Sequence, residues 1–355
     1  MGGRAGGCGR AGFIRRMSYY DAFLLISFGG PEGEDEVIPF LENVTRGRNI
    51  PRERLAEVGE HYFLFGGVSP INQQCRDLLA AVTADFAANG IDLPIYWGNR
   101  FWAPMLTDTL ARMKEDGVRR VLALPTSAYC NWSSRTAYEE DIARARAALG
   151  EDAPEVDLVR PFYDHPGFVE PLVEHTRAAL DALPAQQREG ARLLFSAHSI
   201  PTSMAEASGG PGHAFGPEGA YGAQLAEVAR LVVERLDGDH PHEVVYQSRS
   251  GPPSQPWLEP DVNDRMEELA AEGVPAVVVV PHGFVSDHME VRFDLDVEAR
   301  ETAKKLGIGY ERALSPGTHP AFVSMVTDLV REYTERSEPR RLSSLARCTD
   351  CSCPA

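Results

Sequence analysis

What the sequence lacks narrows its possibilities first. Nowhere do roughly 18 apolar residues follow one another, the length a membrane-spanning helix needs, so no membrane span is expected. Basic charge is in short supply. Lys and Arg number 35 against 52 Asp and Glu, a formal net charge of −17, and a surface of that sign repels the phosphates of nucleic acid and anionic lipid. Self-similarity at a period of about 20–50 residues is missing, which excludes a solenoid. Six cysteines in 355 residues are too few for a disulfide scaffold, so a reducing, cytoplasmic setting is the expectation. The opening MGGRAGGCGRAGFIRR has no apolar centre of the kind a secretory signal carries. Residues 1–17 therefore read as a disordered extension, with Met17 as an alternative start.

What is present is enough apolar residue, 43% of the chain, to bury the core of two medium domains. AFLLISF (22–28) is an apolar run closed by Gly29, Gly30 and Pro31, and similar runs recur at LPIYWGN (93–99), RRVLALPTS (119–127), RLLFSAHS (192–199), EVVYQS (243–248) and AVVVVPHGF (276–284). Helix-like segments lie between them, at 77–88, 107–116, 137–149 and 223–236. Strands alternating with helices predict α/β architecture: two Rossmann-like halves with parallel sheets flanked by helices and a ligand cleft between them. Asp152 and Pro154 suggest the boundary, giving a first domain of residues 18–152 and a second of 153–318. The Gly- and Pro-rich stretch 206–219 reads as a long loop.

Two groups of residues carry chemistry. SAHSIP sets His198 at the carboxyl end of an apolar strand, where side chains face the crevice in this architecture; an imidazole there binds metal, moves protons, or simply holds a strand end. Downstream, VVVVPHGFVSDHMEVRFDLDVEAR ends a buried strand and starts a helix bearing Glu290, Asp294 and Glu298 at i, i+4 and i+8. On an α-helix that spacing stacks three carboxylates about 5–6 Å apart along one face, a repulsive row unless cations, protons or water intervene. Such a row either relays Fe²⁺ or protons or is a solvated surface partly neutralised by Arg292 and Arg300. Its start beside Asp287 and His288, directly after an apolar strand, favours the crevice.

LLISFGGPE, FGGVSP, SAHSIP, YQSRSGPPSQPWLEP and PHGFVSDHMEVRFDLD, in this order, resemble the ferrochelatase family over residues 22–298. The resemblance implies insertion of Fe²⁺ into a porphyrin, with coproporphyrin III the expected substrate and protoporphyrin IX the alternative; a non-catalytic heme or metal carrier is the reading from another class. It makes His198 the metal-binding and proton-accepting histidine, Glu290 the acidic residue facing it across the porphyrin, and Asp294 and Glu298 the row behind. It also implies that Arg46, Tyr62, Ser69 and Tyr129 bind the porphyrin, with Arg48 similar in place to Arg46. Some relatives carry a tyrosine where this chain has Phe28, and phenylalanine cannot coordinate iron. Residues 319–355 are expected to form a helix near 321–336 that crosses back to the first half, followed by the cysteine tail.

That tail, RCTDCSCPA, packs Cys348, Cys351 and Cys353 into C-x₂-C-x-C spacing, close enough to share one metal centre if a fourth ligand comes from elsewhere. Thiolates alone leave zinc and iron–sulfur both open. The family resemblance points to a [2Fe–2S] cluster and to the loop PTSAYCNW, hence Cys130, as the source of the fourth ligand. Cys75 reads as a core or helix-surface thiol, and Cys8 falls in the N-terminal extension.

Overall fold

The computed structural model describes residues 19–48, 50–210, 215–251 and 254–345. The N-terminal extension 1–17 and the tail cysteines Cys348, Cys351 and Cys353 lie outside the described residues. Among the described residues eight strands form: β1 (Ala22–Ser27), β2 (Ile95–Asn99), β3 (Arg120–Pro125), β4 (Glu155–Leu158), β5 (Arg192–His198), β6 (His242–Gln247), β7 (Ala276–Val280) and β8 (Gly309–Arg312). They make two four-stranded sheets, ordered β2-β1-β3-β4 and β6-β5-β7-β8, with every pairing parallel. The same order appears twice, so the chain is two copies of one α/β plan. AFLLIS in β1 and AVVVV in β7 are buried at every position, because inner strands of a parallel sheet have helices on both faces.

The expected boundary at 152/153 is corrected by β4. This strand lies beyond it yet pairs with β3, Val121 opposite Val156, so the first sheet continues to Leu158. Glu155–Leu158 is a four-residue edge strand with two exposed residues, and the turn residues before it introduce the strand rather than end the half.

Side chains alternate across each sheet. From β1, Phe23 and Leu25 point into a central core that also takes Leu193 and Phe195 of β5 and Val278 and Val280 of β7. Leu24 and Ile26 point the other way, onto Leu106, Leu110 and Ile142, while Leu194 and Val245 meet Val262 and Met266 on the far side of the second sheet. The halves are thus joined by one shared apolar layer. The C-terminal helix Pro320–Thr334 completes it, packing on helix Ile71–Ala88 of the first half and on helix Pro166–Ala182 beside the second. Gly167 permits that approach: a Cβ there would stand 2.4 Å from the carbonyl oxygen of Ala321.

Past this helix the chain is strapped to the body. Arg340 pairs with Asp328 at 2.6 Å, Arg341 with buried Asp164 at 3.2 Å, and the Leu342 amide donates to the Asp164 carbonyl at 2.8 Å. Ser343 Oγ donates to Glu227 of helix Gly219–Val233 at 2.5 Å. Among the described residues no helix is long and apolar enough to cross a membrane.

Candidate functional site at the carboxyl ends of the strands

His198 is the last residue of β5, paired in register with Gln247 at the end of β6. Its Nδ1 lies against the carbonyl oxygen of Ser199. A carbonyl only accepts, so Nδ1 carries the proton and Nε2 presents a lone pair. That Nε2 stands 3.8 Å from Glu290 Oε2, with both side chains about a third to a half exposed to the crevice.

Glu290 caps the segment Val291–Ala299, which is a π-helix rather than the α-helix expected. Its wider i→i+5 turn is uncommon and recurs at functional sites. Spacing of carboxylates alone does not separate the two helix types. The row survives the change of helix: Glu290 opens to the crevice, Asp294 is largely enclosed, and Glu298 is exposed at the far end. Burial first, then the neighbouring Glu290 and Glu298 charges, push Asp294 up to about 7, against hydrogen bonds donated by Ser248 Oγ and by Gln247 Nε2 at 3.1 Å. Burial and the Asp261 charge also raise Glu298.

The two arginines offered as neutralisers are engaged elsewhere. Arg292 pairs with Asp296 at 2.8 Å and Arg300 lies over the Tyr310 ring. Asp296 is shared with buried Arg312, which also holds Asp287. The acids outside the row therefore have cations and the row has none of these, which the charge pattern in the sequence does not reveal.

Across the crevice lies the turn-rich segment between β1 and helix Ile71–Ala88. Tyr62, at the end of helix Arg52–Phe63, has its hydroxyl pushed well above the usual phenol range by burial and then by the Glu290 charge, so the two walls face each other here. Ser69 is buried beside Gly30 and its amide donates to the Pro31 carbonyl at 2.8 Å, which brings two of the sequence motifs together. Arg46 is exposed, with its guanidinium on Asn43; Arg48 is exposed beside it. Phe28 is committed to ring contacts, 4.5 Å from Phe101 between centroids.

Tyr129 is a correction. Its ring is buried in the shared core and its hydroxyl donates to the His282 carbonyl at 2.9 Å, so it does not face the crevice as a porphyrin contact. Next to it, Cys130 is fully buried, with its amide donating to Gln224 at 2.8 Å. Cys75 is a free thiol in the core, pushed up to about 11 by burial.

Sequence reasoning assigned no role to three residues that the geometry brings to the site. Gln247 and Ser248 fix Asp294, and Ser248 does so from a left-handed backbone with φ 61°, a conformation that a non-glycine residue holds only under constraint. His288 is enclosed near His198 and Glu290: burial lowers its proton affinity, and those two charges act on it in opposite senses. Among the described residues no three His, Cys, Asp or Glu side chains gather as a metal site.

A coproporphyrin III ferrochelatase of Streptomyces coelicolor is 57% identical over 322 residues, 89% of this chain and 86% of that protein. One of Streptomyces griseus is 54% identical over 94% of this chain and 90% of its own length, and a ferrochelatase of Rhodopirellula baltica is 51% identical over 88% and 86%. Among solved structures, SirB from Bacillus subtilis with Fe³⁺ superposes with a TM-score of 0.53 at 13% identity, covering 88% of this chain and 95% of that one, a likeness of fold alone. With the ferrochelatase family model matching residues 20–334 as well, the chain belongs to the ferrochelatase family.

Proposed function

We propose that this enzyme inserts Fe²⁺ into coproporphyrin III, the step that yields iron coproporphyrin in heme biosynthesis, and that it works in the cytoplasm. The observation that carries the reading is the His198–Glu290 pair at the mouth of an acidic row whose neighbouring Arg292 and Arg300 have other partners. The reaction exchanges two pyrrole protons for one Fe²⁺ with no change in oxidation state, so it needs a base, a route for a cation and an exit for protons. His198 Nε2 is the base, since its lone pair faces the crevice beside Glu290. Glu290, Asp294 and Glu298 guide Fe²⁺ inward or protons outward, with Asp294 poised to hold or release a proton near neutrality. A carrier that only holds a heme or metal has no use for such a relay.

Tyr62, Ser69 and Arg46, all in the segment between β1 and helix Ile71–Ala88, are the residues proposed to meet the propionates, a hydroxyl or guanidinium suiting a carboxylate. The names of the Streptomyces relatives favour coproporphyrin III over protoporphyrin IX. A competition assay with Fe²⁺, following each porphyrin's absorbance, tests this: coproporphyrin III is consumed first. Faster consumption of protoporphyrin IX overturns the substrate, and no metallation of either overturns the activity.

The cofactor reading is a [2Fe–2S] cluster held by Cys130, Cys348, Cys351 and Cys353, with zinc as its rival. Its support lies on one helix. Gln224 holds the Cys130 amide while Glu227, one turn on, holds Ser343. Five residues separate Ser343 from Cys348, a span of at most about 17 Å. The cluster supplies structural ties; His198 and the acidic row carry out the insertion chemistry.

A further inference from the structure

The segment carrying Tyr62 is built as a lid. Its two helices, Glu34–Val44 and Arg52–Phe63, enclose their own apolar cluster of Val37, Phe40, Leu41 and Leu55, apart from the central core, with Phe28 touching both. The segment starts and ends at one place: Glu32 and Val68 form an antiparallel bridge, and Gly67, at φ +74°, lies so close to Glu34 that a Cβ would stand 2.4 Å from its backbone nitrogen. On its own side the lid rests on the loop after β2, through Trp102 Nε1 to Glu36 at 2.8 Å and Asn43 to the Phe101 carbonyl at 3.2 Å.

Across the crevice it meets the π-helix. The His61 ring lies flat on Phe293, 3.6 Å between centroids and 9° between planes, and the Arg292 guanidinium is 5.8 Å from the Phe65 ring. Phe293 is only 8% exposed, yet among the described residues it joins none of the apolar clusters, unlike Val291, Leu295 and Ala299 of the same π-helix, which pack into the second sheet's outer core. The lid covers it. Parting His61 from Phe293 would uncover an aromatic face on the same π-helix segment that carries Asp294.

We infer that the His61–Phe293 stack is a latch that closes the lid over bound porphyrin and sets the rate at which porphyrin leaves. His61 is a positioning residue in this scheme, acting through Phe293. The inference rests on the proposed function, since it takes porphyrin to be what the lid covers.

Release of iron-free coproporphyrin III from the full-length protein, followed by ring fluorescence after mixing with an excess of competing porphyrin, is the test. An aromatic stack contributes enough that His61→Ala and Phe293→Ala should each speed release about five-fold. The double variant should be no faster than the quicker single, because either change removes the same contact, and His61→Phe should release at close to the original rate by keeping a flat ring there. Unchanged release in His61→Ala, additive effects in the double variant, or His61→Phe as fast as His61→Ala each overturn the latch. Failure of the original protein to bind coproporphyrin III at all overturns the function itself, a result distinguishable from the others. Should Phe293→Ala fold poorly, the comparison of His61→Ala with His61→Phe decides alone.

Discussion

His198 Nε2 and Glu290 Oε2 are 3.8 Å apart, the end of β5 facing the residue that leads into the π-helix after β7. The gap exceeds a hydrogen bond. It suits two groups that act on something placed between or above them better than two that only hold each other.

Removal of the imidazole should therefore abolish turnover without expelling the porphyrin. His198→Ala is expected to lower iron insertion by on the order of 10²–10⁴-fold, the usual contribution of a positioned base, with porphyrin affinity by fluorescence titration little changed. Glu290→Gln should lower the rate severely and Asp294→Asn less, because Asp294 lies one step farther along the row. Equal and negligible losses in the two carboxylate variants would return the row to an ordinary solvated face.

Tyr62 and Tyr129 should separate cleanly, since one faces Glu290 and the other the core. Tyr129→Phe strands the buried His282 carbonyl and should cost roughly 1–3 kcal/mol of stability, with KM for porphyrin unchanged. Tyr62→Phe should do the reverse, raising KM with little change in Tm. A higher KM in Tyr129→Phe would restore it as a substrate contact.

Much of this arrangement is legible in the chain, and the exceptions share a cause. Apolar runs as long as AFLLIS and AVVVV announce inner strands, SAHSIP places His198 at a strand end, and DHME places Glu290 at the start of the next helix. The edge strands EVDL and GYER are four residues long and half polar, so no pattern marks them. Tyr129 looks like a pocket hydroxyl because it follows a strand, but its partner is a carbonyl 153 positions away. His61 and Phe293 belong to different halves, and nothing local to either residue names the other. What local pattern carries is the element; what it omits is the partner across the fold.

Asp294 makes stability depend on pH in a defined direction. Its carboxyl is raised from 3.8 to about 7 in the fold, so between those values the folded state holds a proton that the unfolded chain has released. Stability from this group is complete below about pH 4, falls as pH rises toward 7, and is level above. Asp294→Asn cannot titrate, so its stability relative to the original protein should climb across that window, by roughly 4 kcal/mol at most. Urea melts of both proteins at pH 5, 6, 7 and 8 check this; a constant difference would mean that Asp294 is already ionised in the fold at low pH.

Loss of the tail's anchor should show in colour as well as in stability. Purified without oxygen, the protein is expected to be brown and to contain two iron and two sulfide per chain, the composition of a [2Fe–2S] centre on four thiolates. Cys130→Ser should lose both. Cys75→Ser should keep them, because that thiol is free and enclosed in the central core by helix Ile71–Ala88. Glu227→Ala removes the partner of Ser343 and leaves every thiol in place, so it tests the route rather than the ligands: cluster content should fall in part and recover with added iron and sulfide. Metal bound to ligands on segments far apart in sequence adds its binding energy to folding, and the Cys130→Ser protein should accordingly melt at lower temperature than Cys75→Ser. Zinc in place of iron and sulfide would identify the rival centre on the same ligands. A full cluster in Cys130→Ser would show that the fourth ligand comes from elsewhere, and that the contacts of Gln224 with Cys130 and of Glu227 with Ser343 serve only packing.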